Sequence, residues 1–92
     1  MGISKSVLER CVELAREFGA TRLLVFGSAA QSPETARDVD LACEGVEGWR
    51  LFELGARLEE EVGLPVDLVP LRPDDRFSRY IATKARVIYE QS

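Results

Sequence analysis

The chain has 92 residues, with 12 Lys or Arg against 16 Asp or Glu and a formal net charge of −4; this length suits one domain, 1–92, able to bury a core of its own, and the acidic balance argues against duplex DNA or RNA as a partner. The chain contains no histidine, which excludes Ser-His and Cys-His catalysis, and with Cys11 and Cys43 far apart and no CxxC pair a zinc site is not expected. No apolar run approaches a membrane span, Met1-Gly2-Ile3-Ser4-Lys5 lacks the pattern of a secretory signal, and Gly2 with Ser6 matches a lipidation motif only at chance level, so a cytoplasmic protein with reduced cysteines and no membrane association is expected.

Val7, Leu8, Cys11, Val12, Ala15 and Phe18 recur at helical spacing and predict an amphipathic helix over about 5–18. Ser6 with Glu9 reads as its capping box, and Gly19 as its stop. Thr21 to Phe26 is an apolar run of buried-strand length that ends at Gly27-Ser28. Residues 29–37 are small and polar and read as a loop after at most one helical turn. Val39 to Cys43 is a second strand. After two glycines, Trp49, Leu51, Phe52, Leu54, Leu58 and Val62 predict a helix over about 49–62, closed by Gly63. Pro65 to Leu71 is a third strand, which Pro70 either ends or confines to an edge. Arg72-Pro73-Asp74 starts a last helix over about 74–84, and Arg86 to Glu90 forms a short final strand. This order implies an α/β (α+β) layer structure, a small sheet of about four strands flanked by helices. The basic residues are scattered, apart from a modest cluster at Arg72, Arg76, Arg79, Lys84 and Arg86.

With no histidine, acid–base or metal chemistry must rest on carboxylates. Asp38 and Asp40 are two apart, so on a strand they share a face, with Cα atoms about 6–7 Å apart at the usual rise. Two carboxylates so placed can converge on a hard cation, although alternation is also the ordinary pattern of a half-buried strand. Asp67 interrupts the otherwise apolar Val66-Asp67-Leu68-Val69, where a carboxylate is costly unless paired or metal-bound; an edge aspartate facing water is the competing reading. Gly27 lets the chain turn sharply and approach a ligand. A helical turn beginning near Ser28 would aim backbone N–H groups at an anion, with the hydroxyl as a further donor. Gly-Ser is equally an ordinary turn pair.

The ordered combination is more specific than its parts: Gly27-Ser28 after a strand, nine intervening residues, Asp38-x-Asp40 on the next strand, then the lone Asp67. It resembles the nucleotidyltransferase superfamily that includes the polymerase-beta-like enzymes. The short length resembles its minimal members (MNT), the antitoxins of HEPN/MNT toxin–antitoxin pairs, and Ile81 to Glu90 resembles that group's usual close. The resemblance covers about residues 7–90. It implies a nucleotidyltransferase fold and two magnesium ions held by Asp38 and Asp40 with ATP or another nucleoside triphosphate. Asp67 would ligate the metal nearer the acceptor and help deprotonate the attacking hydroxyl, and Gly27 and Ser28 would hold the β,γ-phosphates. It implies transfer of AMP to a tyrosine of a HEPN-domain partner, and an antitoxin role. The chain departs from the family pattern at Ala29-Ala30-Gln31-Ser32, which lacks the usual arginine and second glycine, and at Arg37, where serine often stands.

Two classes of function follow: a magnesium-dependent protein nucleotidyltransferase, or a catalytically weak module of the same fold that neutralises a partner toxin by contact. A third, transfer to a small molecule or an RNA end, normally needs an added acceptor-binding domain. The apolar residues of the first and last helices are compatible with a core role or with a homo- or hetero-oligomer.

Overall fold

Eight elements follow in the anticipated order: α1 (Lys5–Glu17), β1 (Arg22–Phe26), α2 (Ser28–Gln31), β2 (Val39–Glu44), α3 (Trp49–Val62), β3 (Val66–Pro70), α4 (Arg76–Lys84) and β4 (Arg86–Glu90). They are seen in a computed structural model that describes residues 3–72 and 74–91. Gly2 of the lipidation motif and Pro73 of the last helix's start signal lie outside the described residues.

The ends of the helices show which local chemistry acts. α1 is capped by Ser4, not by a Ser6–Glu9 box: Ser4 is extended, and its hydroxyl accepts the Val7 N–H at 3.3 Å. Ile3, one residue before the cap, is buried in the same cluster that Leu8 packs against, the arrangement of a hydrophobic staple. Its N–H donates to the Pro33 carbonyl at 2.6 Å, which pins the chain's entry. That anchoring starts the helix one residue ahead of Ser6. α3 ends at Gly63, in the left-handed conformation at φ 76°. α4 begins at Arg76, two residues later than the sequence indicates, because the Asp75 carboxylate caps it by accepting the Ser78 N–H at 3.3 Å.

The sheet order is β3-β2-β1-β4. β1 pairs antiparallel with β2 and with β4, whereas β2 and β3 are parallel, so the sheet is mixed and the fold α+β. β3 is an edge strand, as Pro70 requires. One face carries Leu23, Val25, Val39, Leu41 and Cys43, all fully buried with Leu14 of α1 and Leu54 and Leu58 of α3. Both cysteines are free and buried, and burial pushes each thiol up to about 11. The other face carries Leu24 and Ala42, which cluster with Leu71 and with Ile81 of α4. That helix is short and covers only part of its face. Trp49 and Phe52, counted in the apolar pattern of α3, stand 80% and 76% exposed, packed edge-to-face on each other at 6.1 Å. No described helix is long and apolar enough to cross a membrane.

Ser78 fastens α4 to the end of β3. Its buried hydroxyl accepts the Arg72 N–H at 2.9 Å and donates to the Asp75 carboxylate at 3.1 Å. Ser78→Ala strands a partly buried backbone donor, a loss of about 1–3 kcal/mol. The expected result is a lower urea midpoint with an unchanged denaturation slope.

Candidate active site

Two sequence-predicted residues, Asp40 and Asp67, meet through strand register. Asp40 is directly opposite Phe26 on β1 and directly opposite Asp67 on β3. Paired residues on adjacent strands point to the same face, so Phe26, Asp40 and Asp67 form one row across the sheet, with strand spacing of about 4.8 Å. The next row on that face is Leu24, Ala42 and Val69, and it is the one that clusters with α4. The carboxylate row therefore lies on the same face as α4, with its Phe26 end packed against the α4 cluster and its two carboxylates outside that cluster. Asp38 sits in the bend just before β2 and is exposed, as is Asp67; Asp40 is half-buried.

Asp40 carries the electrostatic signature of the site. Its carboxyl is held above the ordinary range, first by burial, then by the charge of Asp67, then by that of Asp38. All three carboxylates thus share one field. They do not close on one point: among the described residues no three His, Cys, Asp or Glu side chains are grouped tightly enough to cage a metal. The donor set is nevertheless of the type a hard divalent cation takes, all carboxylate oxygen. Mutual repulsion at Asp40 is the force that a cation between these groups would relieve.

Gly27 completes the geometry. It stands at φ 65°, ψ −149° as the N-cap of α2, backbone that only glycine adopts readily. A Cβ there would collide with Oδ2 of Asp40. Bare backbone thus approaches the central carboxylate, leaving room that any other residue would fill. The N–H groups of Ala30 and Gln31 both donate to the Gly27 carbonyl at 3.1 Å, while those of Ser28 and Ala29 begin the turn and have no intrahelical acceptor. The Ser28 side chain is exposed. Arg37 lines a surface hollow with Glu34, Thr35 and Leu64.

The sequence reading overlooked the other residues around Gly27. Phe26, Gln31, Phe77, Tyr80, Ile81 and Lys84 join it in lining a cleft of about 300 Å³. A signal was available in the spacing of Phe77, Tyr80, Ile81 and Lys84, which is that of one helical face. Asp67 lines a different cleft, also about 300 Å³, with Phe52, Gly55 and Ala56 of α3 and Val66 and Leu68 beside it.

Solved structures share this architecture. A protein described as a minimal nucleotidyltransferase aligns with TM-score 0.71 and 30% identity, over 89% of this chain and 89% of its own. A chain of a toxin–antitoxin complex with AMP-PNP aligns with TM-score 0.77 and 21% identity, over 92% of this chain and 74% of that one. A chain of the complex between a tri-AMPylated Shewanella oneidensis HEPN toxin and MNT antitoxin aligns with TM-score 0.74 and 18% identity, over 95% of this chain and 72% of that one. At their identities the last two establish the fold alone. No protein-family model and no curated protein matches the chain.

The crowding at Asp40 has a measurable consequence. The folded state holds the Asp40 proton more tightly than the unfolded chain does. Its contribution to stability is therefore present below the unfolded carboxylate value and lost as pH rises through the raised folded value. In metal-free buffer at pH 7, Asp40→Asn is expected to stabilise the fold by roughly 0.5 kcal/mol, the scale of a cross-strand charge pair. That is a rise in melting temperature of about 2–4 °C. Near pH 3 the gain should vanish, and melts at the two pH values check it.

Proposed function

The chain belongs to the minimal nucleotidyltransferases, and on that premise we propose that it transfers AMP from ATP to a tyrosine hydroxyl of a partner HEPN toxin and so acts as the antitoxin of such a pair. The observation that carries this is the row in which Asp40 lies between the Gly27 turn and Asp67, with Asp38 acting on it from the strand's start. Neighbouring folds come from toxin–antitoxin complexes, one with AMP-PNP and one with an AMPylated toxin, which supports the choice of nucleotide and acceptor.

Each residue has a role its position allows. Asp38 and Asp40 would hold two magnesium ions together with the triphosphate. Bound there, such ions neutralise charge on the attacking and leaving oxygens of an in-line displacement. Gly27 gives the β,γ-phosphates close access to backbone N–H groups, and the exposed Ser28 hydroxyl adds a donor. Asp67 is the exposed carboxylate of the row and takes the proton of the incoming hydroxyl. The acceptor oxygen forms its bond to the α-phosphorus while the bond from that phosphorus to the bridging oxygen breaks, and pyrophosphate leaves with the electron pair. Such transfer depends mainly on positioning and charge neutralisation, so a chain without histidine suffices.

The test is label transfer from α-labelled ATP to the HEPN protein encoded beside this chain, with magnesium present. Asp40→Asn is expected to reduce transfer at least about 100-fold, the scale of losing a principal electrostatic stabiliser. Gly27→Ala should reduce it comparably, because its Cβ displaces the Asp40 carboxylate. Equal transfer by native chain and Asp40→Asn would sink the proposal. The altered loop, Ala29-Ala30-Gln31-Ser32, favours one competing reading, neutralisation by contact. Full protection from the toxin by an Asp38→Ala/Asp40→Ala variant would establish it instead.

A further inference from the structure

The cleft beside Gly27 has features that neither core packing nor the carboxylate chemistry accounts for. Phe26, the residue opposite Asp40 in the ladder, lines it together with Gly27, so the cleft adjoins the carboxylate row. Its wall is one stripe of α4. Within that helix Ser78 and Ile81 are buried against the sheet, whereas Phe77 and Tyr80 remain 53% and 62% exposed. Two aromatic rings three residues apart on the same helical face form a platform, and their exposure means that little core energy depends on them. Lys84, one turn beyond Tyr80 on α4, and Gln31 of α2 also line the cleft. Among the described residues no acidic side chain lines the cleft, although the chain as a whole carries −4.

The geometry points to this cleft as the seat of the donor nucleotide's base, an inference that rests on the nucleotidyl-transfer reading above. A base offers a flat π-face to either aromatic ring. The Gln31 amide has both a donor and an acceptor for the base edge, and the Lys84 ammonium places positive charge where the sugar and phosphates enter. The volume, about 300 Å³, is at the small end for ligand sites and suits a ring system whose phosphates run outward to Gly27. The acceptor then has the opposite end of the row to itself, at the separate cleft that Asp67 lines.

Calorimetric titration with magnesium-ATP and with magnesium-tripolyphosphate tests the assignment, using the full native chain, Phe77→Ala and Tyr80→Ala. Both side chains are mostly exposed and alanine favours helix, so both variants should melt within a few degrees of the native chain. The expected result is an ATP affinity about tenfold weaker in each variant, the low end of base–aromatic stacking, with tripolyphosphate affinity within twofold of native. Phe77→Tyr and Tyr80→Phe should restore ATP binding. ATP affinity within twofold of native in both alanine variants would overturn the base site, as would an equal loss of tripolyphosphate binding. So would a native chain that binds tripolyphosphate as tightly as ATP, which leaves the phosphate turn intact without a base site. A native chain that binds neither compound overturns the nucleotidyl-transfer reading itself.

Discussion

Asp40 lies between Phe26 and Asp67 in a single row of the sheet, and every group around the candidate site takes its place from that row. Gly27 follows Phe26 directly, Asp38 precedes Asp40 by two, and the two clefts open at the row's opposite ends. Register is therefore the critical quantity. A slip of one residue in β2 would carry Asp40 into the layer under α1 and α3 and turn Val39 or Leu41 out to water. Both faces resist that slip. Val39, Leu41 and Cys43 are fully buried on the helix-covered face, while Ala42 is fully buried beneath α4 on the other. In Asp40's own row the α4 cluster takes in Phe26, while Asp40 stays half-buried and Asp67 exposed.

The same spot concentrates local costs. Asp40 is less favourable as an anion in the fold than in the free chain, and Gly27 adopts backbone that side chains avoid. The two are coupled, since the missing Cβ at Gly27 is the space that the Asp40 carboxylate uses. Stability has to come from elsewhere: the paired cores on both faces, the Ser4 and Asp75 caps, and the Ser78 fastening. A small domain that gathers its unfavourable terms around three carboxylates is consistent with a site selected for binding rather than for rigidity.

What the sequence revealed follows from the range of the forces involved. Local signals were legible: α3 and β4 begin and end where periodicity and Gly63 indicate, and Pro70 marks an edge strand. The Asp38–Asp40 spacing predicts a shared strand face, but β2 begins at Val39 and leaves Asp38 in the bend before it. Caps were less legible, because Ser4 and Ser6 both offer a hydroxyl and only the burial of Ile3 decides between them. That the sheet could bring Asp67 beside Asp40 was legible, but their directly opposed register was not, since parallel register depends on how α3 packs across the sheet. The aromatic wall at Phe77 and Tyr80 was hidden for a similar reason. Helical spacing shows that these residues share a stripe, but not that the helix seats itself on Ser78 and Ile81 and leaves the rings outside.

The sheet edge nearest Asp67 narrows how a macromolecule can reach the row. An open edge strand usually invites strand addition. β3 is poorly suited to it: Pro70 has no N–H, and the Val66 N–H is already taken by the Glu59 carboxylate at 3.0 Å. The strand is also only five residues long. Directly beside it, Phe52 stands exposed at the mouth of the cleft that Asp67 lines, with Gly55 and Ala56 keeping the α3 surface low. A polypeptide arriving at Asp67 therefore meets aromatic side chain and small-residue helix surface rather than a free hydrogen-bond ladder. What this end offers is therefore side-chain surface, apolar at Phe52 and Leu68 and acidic at Asp67 and Glu59, rather than open backbone.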